Sequence, residues 1–153
     1  MHRNLVLLFL GLLPCVNGLW ASVEKTVLVH YVPWFSTKTE NQDWGWHWTM
    51  NHRDPDLVKW DGTREIASHD YPLIGLYDSG DEWVLECQVQ QMKLAGIDGV
   101  IIDWYGIDPI NDYPMIHENT ELLVSIIKKA GLQFAICYDC LLYTSDAADD
   151  LGR

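Results

Sequence analysis

Positive charge is what this chain has least of. Its 153 residues carry ten Lys and Arg against 22 Asp and Glu, a net charge of −12. No basic surface is available to follow a phosphate backbone, so nucleic acid is excluded as a partner. Cysteine is scarce too. Of the four present, Cys15 and Cys140 fall in terminal segments, and Cys87 and Cys137 are expected as free, buried thiols without metal-site spacing. His30, His47, His52 and His69 match no zinc signature either. No metal and no cofactor is expected. Glycine-rich phosphate loops are missing after every expected strand, which disfavours a nucleotide-binding Rossmann domain.

The longest apolar run, Leu5 to Leu13, is shorter than the roughly 20 residues a membrane span requires. It follows His2 and Arg3 and precedes small residues near Gly18. That order is the one found in a secretory signal peptide, expected over residues 1–18. The mature protein is then expected to be secreted or periplasmic, with no membrane span. At the other end, Cys140-Leu141-Leu142-Tyr143-Thr144-Ser145-Asp146-Ala147-Ala148-Asp149-Asp150 resembles the conceptual translation of a sequencing adaptor. Residues 140–153 are expected to be read-through rather than natural sequence. The remainder is about one domain by length.

Within that remainder, apolar strands alternate with helices. Gly96 to Gly106 runs through Val100, Ile101 and Ile102 and stops in Asp103, Trp104 and Tyr105. An apolar run without polar alternation fits a strand covered on both faces, as in a parallel sheet. Thr26 to Phe35 reads as the first strand, which Pro33 ends, and Gln133 to Asp139 as the third. Tyr71 to Asp78 reads as a short extended piece. Ser79-Gly80-Asp81-Glu82 fits a capping box with Ser79 as the cap, followed by a helix burying Leu85, Val89 and Met92 and ending at Gly96. Asn119 is expected to cap a second helix that buries Leu122, Leu123, Ile126, Ile127 and Ala130 and ends at Gly131. Repetition of this kind implies right-handed βα units.

Aromatic residues are abundant, with eight Trp and seven Tyr. Tyr31, Trp34, Trp46, Trp48, Trp104 and Tyr105 all fall on strand ends or on the long polar connection from Ser36 to Asp70, together with Trp44 and His47. In α/β folds the C-terminal strand ends carry the site. Indole and phenol faces suit the C–H faces of sugars, and their N–H and O–H groups bond hydroxyls. Asp103, with Trp104, Tyr105 and His47 as candidate donors, is expected to touch the ligand. Tyr31, Trp34, Trp46, His47, Trp48, Asp103, Trp104 and Tyr105 are therefore the candidate substrate-binding residues.

Four ordered segments add a resemblance: Val29 to Phe35, Trp44-Gly45-Trp46-His47-Trp48, Ile66 to Ser79, and Gly96 to Gly106. Together they resemble the N-terminal half of glycoside hydrolase family 71/99-like proteins, the endo-α-mannosidase and α-glucanase type. The resemblance covers about Val27 to Asp139. It implies the N-terminal portion, residues 26–139, of a (β/α)8 barrel that cleaves α-linked glycans of the mannan or glucan type, truncated after about three strands. It also implies a catalytic Glu-x-x-Glu pair late in the barrel. Nothing here is matched to that pair, so the catalytic residues stay unknown and this fragment is expected to be inactive. The expected partner is an oligo- or polysaccharide. A secreted, non-catalytic carbohydrate-binding protein with the same aromatic cleft is the alternative, and a metal-dependent barrel hydrolase a third.

Overall fold

The computed structural model describes residues 25–139. The expected leader at 1–18 and the adaptor-like segment at 140–153 lie outside the described residues. The chain order is β1 (Leu28–Tyr31), α1 (Lys38–Asn41), α2 (Trp46–Thr49), α3 (Glu82–Leu94), β2 (Gly99–Trp104), α4 (Tyr113–Ala130) and β3 (Gln133–Tyr138). The three strands form one parallel sheet in the order β1-β2-β3. The expected α/β alternation is therefore present.

The unbroken apolar sequence of β2 puts it in the centre. Val100 and Ile102 are fully buried, and Asp103 is nearly so. Gly99 opens the strand because nothing larger fits: a Cβ there would lie 2.6 Å from the carbonyl oxygen of Gln133. The first strand is shorter than the expected Thr26 to Phe35, since its ladder pairs only Leu28 to Tyr31 with Gly99 to Ile102. Pro33 cannot donate a ladder hydrogen bond, and its carbonyl is turned toward α4 instead. The edge strand β3 is exposed along its whole length.

Both long helices cover the same side of the sheet. Leu85 and Val89 of α3 meet Leu123, Ile126 and Ile127 of α4 over Val100 and Ile102. Each such side chain contributes about 1.5–3 kcal/mol on leaving water, so this cluster holds the layers together. Gly96 and Gly131 take left-handed φ of 73° at the ends of α3 and α4, as the pattern predicts. The helix starts differ from expectation. Asp81, not Ser79, caps α3, accepting from the amides of Trp83 and Val84 at 2.8 and 3.3 Å. α4 begins at Tyr113, not Asn119, with Pro114 in its first turn where the missing N–H costs nothing. Asn119 is inside the helix and buried.

The long connection after β1 holds two one-turn helices and an isolated antiparallel bridge between Val58 and Arg64. Tyr71 to Asp78, expected as an extended piece, consists of turns and coil, with Gly75 at φ 79°. Cys87 and Cys137 are free but exposed rather than buried, the latter because the edge strand is uncovered. Among the described residues no helix is long and apolar enough to cross a membrane, and no group of three or more His, Cys, Asp or Glu is placed to hold a metal ion.

Candidate functional site

The end of β1 is fixed by polar groups that the sequence had assigned elsewhere. Asn119 Nδ2 donates to the carbonyl of Pro33 at 3.0 Å. Ser79 Oγ accepts from the amide of Phe35 at 3.1 Å, and the Ser79 amide donates back to the Phe35 carbonyl at 2.8 Å. Asp78 accepts from the amides of Thr37 and Gly80, each at 2.8 Å. Ser79, Asp78 and Asn119 are all buried, where an unmade hydrogen bond is expensive. A side chain at Gly80 would press on this network, its Cβ lying 2.8 Å from Asn119 Oδ1. The backbone around Trp34 is thus held from both α4 and the turn before α3.

The chain then folds back on itself. The Gly45 amide donates to the Ser36 carbonyl at 2.9 Å, and a Cβ on Gly45 would meet Ser36 at 2.9 Å. From there α2 fans three rings in different directions, because successive helical residues are about 100° apart. Trp48 turns inward. It is 1% exposed, packs on Phe35 and Tyr77, and donates its indole N–H to the Tyr77 carbonyl at 3.2 Å. Trp46 turns outward and is half exposed. His47 lies flat on Trp34, with ring centres 3.9 Å apart and planes 9° apart. Its Nε2 is 3.3 Å from Asp112 Oδ2. Trp44 is steadied by donating to Asp56 Oδ1 at 2.9 Å.

A cavity of about 720 Å³ opens at the C-terminal strand ends, between these rings and the segment that follows β2. Trp34, Trp44, Trp46 and His47 line one side. Tyr105, Asp112, Tyr113 and Met115 line the other. Tyr105 stacks on Tyr113 at 5.2 Å and reaches Asp103 Oδ2 with its hydroxyl at 3.4 Å. Burial first, and then the charges of Asp103 and Asp139, push the Tyr105 phenol well above its ordinary range. The indole Nε1 of Trp34 is buried without a hydrogen-bond partner among the described residues, an arrangement native proteins seldom leave unused.

Of the eight residues singled out in the sequence, Trp34, Trp46, His47 and Tyr105 line this cavity. The other four do not, for identifiable reasons. Trp48 is the buried anchor of α2. Tyr31 lies on the helix-covered side of the sheet, donating to Gln88 Oε1 at 2.6 Å, and burial raises its phenol far above the usual range. Asp103 and Trp104 are consecutive strand residues and so point to opposite faces. Trp104 goes to the helix side, donating to His117 Nδ1 at 3.3 Å beside Tyr138. Asp103 takes the other face, 4.0 Å from His30 Nε2. Of its three candidate donors only Tyr105 is in place, since His47 faces Asp112 and Trp104 faces His117.

Asp112 and Tyr113 are not among the sequence candidates because the second helix is expected to start only at Asn119. Pro114 was the available signal, as proline belongs in a helix's first turn. One Glu-x-x-Glu spacing does occur, at Glu118 and Glu121. Both residues are exposed on α4, and neither lines the cavity.

No protein-family model matches the chain, and no curated protein matches it. Solved structures do. A family 99 endo-α-mannosidase from Bacteroides thetaiotaomicron, in complex with bis-tris-propane, superposes with a TM-score of 0.54 at 21% identity, over 72% of this chain and 28% of that one. A second structure of an endo-α-mannosidase of this family from the same organism gives 0.54 at 19%, over 72% and 32%. The chain thus spans less than a third of the length of each of these solved enzymes. At such identity the likeness concerns fold: the three-stranded parallel sheet and its helices share their arrangement with part of a family 99 glycoside hydrolase.

Proposed function

We propose that this chain is part of an exported glycoside hydrolase of the family 71/99-like type, and that its sheet is an early portion of a (β/α)8 barrel acting on α-linked mannan- or glucan-type glycans. The observation that carries the reading is the cavity itself. It sits at the C-terminal strand ends, has a volume within the usual range for small-ligand sites, and is lined by three indoles and two phenols. Such rings bind sugar faces. The family resemblance and the fold shared with endo-α-mannosidases support the same reading.

The test is a titration of the chain with α-mannan and α-glucan oligosaccharides, followed by tryptophan fluorescence. Trp34→Ala and Trp46→Ala should each weaken binding about tenfold, the loss of one ring's stacking. Absence of binding, or binding indifferent to both changes, would sink the proposal. A non-catalytic carbohydrate-binding protein with the same aromatic cleft is the alternative reading. New reducing ends released from α-mannan would exclude it.

A further inference from the structure

Resting on the sugar-binding reading, we infer that the cavity selects a glycan bearing a free, protonated amine over a neutral glycan of the same shape. The carboxylates among its lining residues are Asp43 and Asp112, and no Lys or Arg accompanies them. The remaining walls are mainly aromatic. Ring faces carry partial negative charge and attract a cation placed within about 6 Å of the centroid. The protein already uses this at Trp44, where the Arg64 guanidinium lies 5.5 Å over the ring while donating to the Pro55 carbonyl at 2.8 Å.

The hydrogen-bonding groups are complementary to a particular ligand pattern. An ammonium is donor only and needs acceptors, which Asp43 and Asp112 supply. The indole and phenol rings of the lining are the second element, and they suit the C–H face of a sugar ring. A simple amine satisfies the first requirement and a neutral sugar the second. An amino sugar satisfies both, since its ammonium stands beside hydroxyls on one ring. Negative potential extends past the lining: Asp103, Asp139 and Asp112 all act on the Tyr105 phenol to hold its proton. His47 offsets part of the Asp112 charge when protonated, and the exposed Asp43 carboxylate, outside any close ion pair among the described residues, interacts at longer range with the Lys38 ammonium.

The experiment titrates the whole chain with glucosamine and with glucose at low salt and about pH 6, below the range in which a free amine loses its proton. Glucosamine should bind about tenfold tighter than glucose, the scale of one partly desolvated cation–π and carboxylate contact. High salt should shrink the gap. Asp112→Asn and Asp43→Asn should each narrow it, the second being an exposed loop position where folding is not at stake. Glucose binding as tightly as glucosamine would overturn the amine preference and leave the sugar-binding reading standing. A gap that survives both asparagine variants would overturn its electrostatic origin. Failure of both sugars to bind would remove the preference and the reading together.

Discussion

Asn119→Leu tests how the aromatic site is held. The carboxamide is 6% exposed and donates to the carbonyl of Pro33 at 3.0 Å, between residues 86 apart in sequence. Pro33 is itself buried, so the carbonyl has no access to water once its donor is gone. Leaving such an acceptor unsatisfied costs about 1–3 kcal/mol. Leucine restores roughly 0.5 kcal/mol through its better helix propensity. The net expectation is a loss of about 1–2 kcal/mol. With a urea dependence of about 1–3 kcal/mol per molar, the midpoint should fall by roughly 1 M. Since the same bond fixes the backbone beside Trp34, oligosaccharide affinity should fall as well. Glu118→Leu, one residue earlier and exposed, is the control and should stay within about 0.5 kcal/mol. An Asn119→Leu chain with an unchanged urea midpoint and unchanged affinity would refute the claim that α4 positions the site.

Three further outcomes are expected. Trp48→Ala should destabilise the fold by about 3–5 kcal/mol in urea denaturation, as for other buried aromatic truncations, whereas Trp104→Phe should leave oligosaccharide affinity within about twofold, because Trp104 faces His117 and not the cavity; a large affinity loss in the latter would place Trp104 at the ligand. Tyr31 and Tyr105 hold their protons to higher pH when folded, through burial first and then through Tyr77 and the neighbouring carboxylates respectively. The stability tied to them is complete below the ordinary phenol value of about 10 and is lost as pH rises beyond it. Burial raises the Tyr77 phenol as well, so absorbance titration at alkaline pH should show a late fraction that shrinks in each of Tyr31→Phe and Tyr105→Phe; a late fraction unchanged in both variants would contradict the burial described.

Much of the fold was legible because it depends on local pattern. The apolar run of β2, the spacing of Leu85, Val89, Leu123 and Ile127, and the glycines that end both long helices follow from periodicity and backbone freedom, which a sequence displays directly. Trp34, Trp46, His47 and Tyr105, which line the cavity, were singled out by a simple rule that strand ends and the loops beyond them carry sites. The errors came where one residue had to choose between partners. Ser79 fits a helix cap by spacing, yet a strand end 44 residues earlier claims its hydroxyl, and Asp81 caps α3 instead. Asn119 has the chemistry of a cap and serves as a buried strut.

The chain's own order of residues therefore determined that apolar strands and amphipathic helices would alternate, and that indoles would crowd the segments beyond the strands. Only the folded arrangement decided which ring faces the cavity and which faces the core. Trp46 and Trp48 differ by half a helical turn, and Asp103 and Trp104 by one step of a pleat, so identical chemistry is sent in opposite directions by geometry that composition does not contain. The same holds for Asp112, whose carboxylate gains its meaning from a histidine 65 residues away, brought within 3.3 Å by a parallel crossover.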